Sequence, residues 1–372
     1  MAASDLSLTP AEKKYLFRKK FHKEFEEKLF FSGAMGTGDN VIEKITELTR
    51  NSKGEQAAYF PLIPRMTGGG IVNDNTIRGR ERSVEAAWQK ANYSLFANAV
   101  VNKGPASDQK SLIQLRNIYS PLLSSWLADS NEDQCILTAS GISYAFNTDG
   151  SPRTTPAGQD DWTQLDYAAD VSAPTANRHL RWDATSGLLA GDTDAMDTAD
   201  KISYAMLPDI KAYAMNKRIP PVRVDGRDVH FLMVLPQVMA SLWKDDDFRS
   251  SIVQGDNRGS DNALMRFGKT TVHDLVLVPY QRMYNTTGAA SGTAKWGSGH
   301  DVDGSRCLLM GAQGIARVDL GPPEWLEQKD DYGRVTGFGI QHFGGWTKVA
   351  HPSSYDGGET EDFGIVAVDV AI

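Results

Sequence analysis

Cys307–Val318, CLLMGAQGIARV, is the stretch on which the reading of the whole chain turns. An apolar run that reads as a strand enters a Gly-x-x-Gly turn, and the segment leaving the turn reads as a helix. That layout brings a phosphate to a helix N-terminus. A dinucleotide site, however, needs Gly-x-Gly-x-x-Gly, so that the backbone can turn tightly and approach the pyrophosphate. Only Gly311 and Gly314 are present, no βαβ unit follows, and Arg317 and Asp319 do not restore the spacing. The sequence therefore favours a packing turn, in which two glycines and the small Ala312 and Ala316 let backbones approach closely.

On either side of this turn the chain reads as mixed α and β. VHFLMVL (229–235) has the apolar run of a buried strand, and Pro236, suited to a first helical turn, opens the helix after it. VHDLVLVPY (272–280) is a further strand, and 198–217 reads as a helix interrupted by Pro208. GRVTGFGIQHFGGWTKVA (333–350) and FGIVAVDVAI (363–372) read as antiparallel strands near the end. Between Ser140 and Asp197 the chain is rich in Gly, Thr, Ser, Asp and Pro. Loops beyond about 15 residues are uncommon inside a domain, so this reads as a surface insertion with short strands.

The first third has a different character. Residues 10–30 read as an amphipathic helix, with Thr9 as cap, Pro10 at the first position and Glu12 completing a capping box. Phe17, Phe21, Phe25 and Leu29 recur every four residues, and Gly33 marks the stop. Such a stripe either packs on its own domain or forms an arm that needs a neighbouring subunit. From Ala57 to Lys103, prolines, a Gly triplet and Asn73-Asp74-Asn75 indicate an extended hairpin. Arg65, Arg78, Arg80 and Arg82 concentrate positive charge there, either as a solvated loop or as an intermolecular contact, since Arg is enriched at interfaces. Residues 107–128 carry the strongest helix signal, through Leu112, Leu115, Tyr119, Leu122 and Trp126. Pro121 within it predicts a kink or break.

Composition excludes several classes of protein. At 372 residues and 41% hydrophobic, the chain can bury a sizeable core, expected to divide into two or three units. A net charge of −8 argues against general nucleic-acid binding, which needs a basic surface to displace counterions. The two cysteines, Cys135 and Cys307, make no disulfide framework and fit a reducing compartment. No secretion signal and no run of roughly eighteen apolar residues is present, so a cytosolic product without a membrane span is expected.

Local motifs nominate no chemistry. Gly268-Lys269-Thr270 resembles the tail of a P-loop, but Ala263 stands where the first glycine is needed. Asp192, Asp194 and Asp197, or Asp301 and Asp303, lack the glutamate that closes an EF-hand loop; Ser203 and Ala312 occupy those places. The histidines have no zinc spacing, and no Gly-x-Ser-x-Gly elbow occurs. No catalytic, cofactor-binding or metal-binding residue is therefore assigned, and no enzyme is expected.

In their order, the elements resemble a known family. KKFHKEFEEKLFFSGAMG, AAYFPLIPRMTGGGIVND, LRNIYSPLLSSWLADSNED, VHFLMVLPQVMASLWKDDDF, CLLMGAQGIA and the two closing strands are similar to successive segments of tailed-bacteriophage major capsid proteins of the Enquatrovirus type. Two departures stand out. GRER (79–82) replaces an acidic pair after the hairpin glycine, and Leu235-Pro236 replaces His-Pro.

The resemblance implies the α+β Johnson fold of tailed-phage and herpesvirus capsids. It implies an N-terminal arm (1–50), an extended loop (51–104) and a peripheral domain with a spine helix and loop insertion (105–197). An axial domain (198–325) and closing strands (326–372) follow. Gly311 and Gly314 become packing residues of the axial domain. The implied function is self-assembly, as hexamers and pentamers, into an icosahedral head enclosing double-stranded DNA without sequence reading. It further implies a scaffolding protein and a portal, leaves a decoration protein open, and places assembly in the host cytoplasm. Candidate inter-subunit contacts are Phe17, Phe21 and Phe25, and Arg65, Arg78, Arg80 and Arg82 meeting Asp245, Asp246 and Asp247. Pro121 is the candidate kink at which the spine helix would differ between precursor and mature shells. An encapsulin-like nanocompartment with the same fold and a nucleotide-handling α/β enzyme are the alternatives.

Overall fold

Gly304–Met310 and Ile315–Asp319 are both strands, and they belong to different sheets. The Gly-x-x-Gly turn is where the chain crosses from one sheet to the other. The helix expected after the turn is absent. All five residues of Ile315–Asp319 are buried, so the segment has two covered faces and neither helical nor alternating periodicity.

The structure, a computed structural model, describes residues 23–25, 27–36, 40–45, 57–62, 70–81, 87–101, 115–224, 226–256, 271–333, 335–353 and 359–372. Its strands begin with β1 (Met35–Gly36), β2 (Ile42–Ile45), β3 (Ala57–Leu62), β4 (Ala87–Asn92) and β5 (Ser94–Val101). Next come β6 (His179–Asp183), β7 (Gly187–Ala190), β8 (Val222–Val224), β9 (Arg227–Val234), β10 (Thr271–Val272) and β11 (Leu275–Pro279). The chain closes with β12 (Gly304–Met310), β13 (Ile315–Asp319), β14 (Glu324–Asp330), β15 (Val335–Lys348), β16 (Ala350–Pro352), β17 (Thr360–Asp362) and β18 (Ile365–Ala371). The longer helices are α1 (Leu115–Ser140), α2 (Met206–Asn216), α3 (Pro236–Lys244) and α4 (Asp246–Asp256).

The larger sheet has the order β10-β11-β9-β12-β18-β6-β7, with β8 also on β9. β11 runs parallel to β9 and β18 parallel to β6, while β12 is antiparallel to both of its neighbours. β12 and β18 are buried at every position, which explains their apolar runs at 307–310 and 365–368. Pro208 does not interrupt α2; it lies in its first turn, where a missing N–H costs nothing.

The smaller sheet is organised around the 14-residue β15. β14 pairs with its first half, β13 with Gly344–Lys348, and β5 with Gly337–Gly344. Trp325, Phe338 and Ile340 of this sheet pack with Leu123 and Leu127 of α1, and Phe25 and Leu29 close the same cluster. The two sheets interleave along the chain. β6 and β7 join the larger sheet from within the 105–197 region, and β13 joins the smaller one from within 198–325.

α1 extends to Ser140, twelve residues past the expected end at 128. Its second half carries polar residues that are buried and partnered rather than solvated. Tyr167 Oη donates to Gln134 (2.9 Å), Tyr280 Oη to Glu132 (2.6 Å), and Asn131 Nδ2 to the Leu127 carbonyl (2.8 Å). Pro121 does not break α1, which is one continuous helix through it. At that point the Lys28 ammonium donates to the Pro121 carbonyl (2.9 Å) and to Ser124 Oγ (2.6 Å), tying the N-terminal segment to the helix.

Candidate assembly surfaces

The Gly-x-x-Gly turn has no backbone donor left for a phosphate. Gly311 N–H donates to the Gly364 carbonyl (2.7 Å), Ala312 to Pro220 (2.8 Å), Gln313 to Asn40 (2.7 Å) and Gly314 to Val41 (3.1 Å). The left-handed residue is Gln313 (φ 54°), so the two glycines serve space rather than φ. A Cβ on Gly311 would strike the Pro220 carbonyl, and one on Gly314 would lie 2.8 Å from Ile365 Cγ1. The turn thus clamps the N-terminal segment, the Pro220 loop and the start of β18 together. Lys269 lies outside the described residues. Among the described residues, no group of three or more His, Cys, Asp or Glu could hold a metal ion. Asp192 instead accepts from the Asp194 N–H (3.1 Å), as turn carboxylates commonly do.

A cleft of about 730 Å³ lies between the β8–β9 end of the larger sheet and the β16–β17 hairpin. Lys211, Arg218 and His230 line it together with Asp228, Asp274 and Glu361. Lys211 Nζ sits 3.1 Å from His230 Nδ1, and His230 Nε2 is 3.3 Å from the Ile219 carbonyl. Burial and the Lys211 charge push the imidazole down to about 4, so it stays neutral at pH 7. Charges of both signs line the cleft.

The surfaces suited to assembly lie elsewhere. β3 and β4 form a two-stranded ribbon, with Tyr59 opposite Lys90 and Pro61 opposite Trp88. Its inner face is fixed by buried Ala58 and Ala91 and by Gln89. The Gln89 amide donates to the Lys348 carbonyl (2.6 Å) and accepts from the Ala350 N–H (3.0 Å). Its outer face leaves Tyr59 57% and Trp88 66% exposed, so two large rings on adjacent strands lack cover among the described residues. Beyond the ribbon, Val72, Ile77, Arg78 and Arg80 are exposed. Arg65 and Arg82 lie outside the described residues.

Phe25, expected among the inter-subunit contacts, is a correction. It is only 1% exposed, and the core of its own chain takes up its whole ring. Phe17 and Phe21 lie outside the described residues. Asp245 is likewise engaged within the chain, accepting from the N–H groups of Tyr204 (2.7 Å) and Asp247 (3.0 Å) at the start of α4. Asp246 and Asp247 are exposed, and Asp246 pairs loosely with Arg249 at 3.6 Å. No contact within the chain joins these aspartates to Arg78 or Arg80 among the described residues.

Buried ion pairs hold the frame that carries these surfaces. Arg306 on β12 forks onto Asp369 on β18 and donates to the Ser140 carbonyl at the end of α1 (2.8 Å), while His179 Nε2 lies 2.7 Å from Asp369. Burial opposes ionisation of Asp369, but the Arg306 charge and these hydrogen bonds prevail and hold its carboxyl below the usual range. Asp319 sits among Lys44 (3.2 Å), His342 (3.5 Å) and Arg317 (3.7 Å), which outweigh burial in the same way. The Arg317 guanidinium also lies between the Phe25 and Trp346 rings, 5.9 and 5.2 Å from their centroids. Lys348 and Asp362 pair at 2.8 Å with both side chains almost wholly buried.

The exposed aromatics at Tyr59 and Trp88 were missed in the sequence. The signal available was a pair of large rings in the two arms of an otherwise weakly packed hairpin.

Comparison with known proteins agrees with a surface-driven role. The chain is 37% identical over 364 residues to the major capsid protein of Pseudomonas phage KPP25, covering 97% of this chain and 95% of that protein. The fold is similar to the capsid of Ralstonia phage GP4, with TM-score 0.72, 18% identity and coverage of 92% and 91% of the two chains. It is also similar to the cyanophage Pam1 capsid, with TM-score 0.68, 17% identity and 99% of both chains covered. The phage capsid protein family profile matches residues 7–372. This chain is therefore a member of the phage capsid protein family.

Proposed function

We propose that copies of this chain close into a phage head as hexamers and pentamers, each laying its ribbon against neighbours. The chain is the major capsid protein of a phage head. The observation that carries the assembly mode is the ribbon. Its inner face is fixed to the chain's own body through Gln89, while Tyr59 and Trp88 face outward uncovered. Several modest contacts of this kind per subunit add up to a stable shell through multivalency. Head-to-tail contacts of unlike surfaces close into rings.

In this reading the smaller sheet with α1 is the peripheral domain, and the larger sheet with α2 and α3 is the axial domain. Arg78 and Arg80, with Arg65 and Arg82, meet carboxylates of an adjoining copy, of which Asp246 and Asp247 remain accessible. The shell encloses double-stranded DNA; its acidic net charge avoids gripping the DNA as it enters. A scaffolding protein and a portal act with it in the host cytoplasm, and the chain itself is not catalytic. Neither an encapsulin-like compartment nor a nucleotide-handling enzyme is favoured, given the relationship to a phage capsid protein across nearly the whole chain.

The test is cryo-electron microscopy of particles from cells expressing the chain, with and without its scaffolding partner. Closed icosahedral shells with this chain at hexameric and pentameric positions are expected. A small monodisperse oligomer under every condition would overturn the proposal.

A further inference from the structure

Of the strands that flank β15, β14 and β5 have no further strand beside them among the described residues, and they are built differently. β14 flanks one side of β15 and carries Glu324, Glu327, Lys329 and Asp330 among its seven residues. Charges on an edge strand discourage a stray strand from pairing there. β5 flanks the other side and pairs with β15 through all eight of its residues, SLFANAVV, which include no charge and no proline. Among the described residues no further strand pairs with it. Alternate residues of such a strand turn their N–H and C=O groups away from their partner. The Ala99 N–H donates to the side chain of Asn98 (2.8 Å), the local partner an edge amide finds where no strand lies beside it.

The outward face of the same strand is apolar. Leu95, Ala97, Ala99 and Val101 are exposed, while Phe96 and Val100 pack toward α1. Beside Ala99 and Val101 on β15 lie Gly339 and Gly337, and beyond Gly339 lies the exposed Leu326. Neither glycine has a positive φ, and a Cβ on either would meet nothing closer than 3.4 Å. Nothing among the described residues requires glycine at these places, where it weakens a strand. A partner lying flat on the sheet does benefit from a bare floor. This surface also continues from the ribbon, because β4 runs into β5 with one residue between them.

We propose that the open edge of β5 receives an extended segment from a second copy of this chain, laid beside Ser94–Val101 and over the Gly337–Gly339 floor. The inference rests on the capsid reading, which surrounds each chain with further copies of itself. The uncharged edge is the side open to addition, and the charged β14 edge is the side protected from it. Main-chain hydrogen bonds would supply the attraction and the alternating apolar side chains the register, as in strand addition generally.

Hydrogen–deuterium exchange of residues 94–101 in the unassembled chain and in closed shells tests this directly. Fast exchange of the edge amides in the free chain and at least roughly hundredfold slower exchange in shells is expected for a strand added on assembly. In parallel, the double variant Ala97→Lys, Ala99→Lys guards the edge. Its thermal midpoint as a free chain should match the parent, while shell yield falls at least tenfold. Shells whose β5 amides exchange as fast as in the free chain overturn the inference and leave the capsid reading intact. So does protection already present in the free chain, which would mean that the chain covers its own edge. If the double variant does not fold, the exchange comparison on the unaltered chain decides alone. Absence of shells from the unaltered chain with its scaffolding partner would instead sink the capsid reading.

Discussion

Arg306 and Asp369 are directly opposed across β12 and β18, with Nε 2.7 Å from Oδ1 and Nη2 3.0 Å from Oδ2. The same guanidinium binds the Ser140 carbonyl, so one buried pair fastens the end of the spine helix to the larger sheet. Its stability effect is asymmetric, because removing one partner leaves the other buried and unpaired. Asp369→Ala should therefore cost about 3–5 kcal/mol, read from urea unfolding of the unassembled chain. Adding Arg306→Met should recover much of that loss, since paired buried charges contribute little beyond a well-packed apolar substitute. A cost below about 1 kcal/mol for the single variant would show that the Ser140 carbonyl alone satisfies the guanidinium.

Acid should weaken the fold in two stages. His230 is held at about 4 by burial and by Lys211, whereas an unfolded histidine takes up its proton near about 6.5. Between these values the unfolded state binds more protons, so stability falls as pH drops from about 6.5 to about 4, by about 3 kcal/mol at most. His342, also pushed down by burial, acts in the same direction. Asp319 and Asp369 are held below the usual carboxylate range, so their contribution is intact above about pH 4 and is lost below it. Urea midpoints measured from pH 8 to pH 3 should be level at first, decline below about 6.5 and steepen below about 4. His230→Gln should flatten part of the first decline. A level profile down to pH 4 would sink this account.

The Gly-x-x-Gly turn separates two reasons for a glycine. If space is what Gly311 and Gly314 provide, each change to Ala should destabilise by about 1–3 kcal/mol or more, with Gly311→Ala the worse because a backbone carbonyl cannot move aside. Gln313 alone has the positive φ, so Gln313→Gly should be neutral or stabilise by up to about 1 kcal/mol. Thermal unfolding of the three variants checks this. An unaffected Gly311→Ala chain would show that the Pro220 loop is not clamped as described.

Much of this architecture was legible from pattern, and the failures have physical causes. β12 and β18 are seven residues each, wholly buried and mostly apolar, with Arg306 and Asp369 paired to each other, so their strand character survives in the sequence. β13 is equally buried, with Arg317 held between two rings and beside Asp319, but it is only five residues long and leaves a Gly-x-x-Gly turn, and so it read as a helix. α1 read as ending near 128 because Asp129–Gln134 looks like a solvated tip, while Tyr167, Tyr280 and Arg282 supply its partners from distant segments. No local rule anticipates those partners. The hairpin was visible through its turn residues, but a stripe such as Phe17, Phe21 and Phe25 reads the same whether its cover is its own chain or another. Phe25 has its own chain as cover.

The ribbon gives the sharpest separation of folding from assembly. Trp88 is two-thirds exposed, so Trp88→Ala should leave the stability of the unassembled chain within about 0.5 kcal/mol of the parent. At an interface the same truncation removes a large aromatic anchor, the residue type that dominates binding energy, at about 2 kcal/mol or more per contact. Shell assembly multiplies that loss over many subunits, so scattering should show a sharply raised threshold concentration. Arg78→Glu with Arg80→Glu should act differently, through charge. Shells should form more poorly at low salt, and the deficit should shrink as salt screens the reversed charges. Equal shell yields from parent and both variants, with unchanged free chains, would mean that the ribbon's outer face does not meet a neighbour.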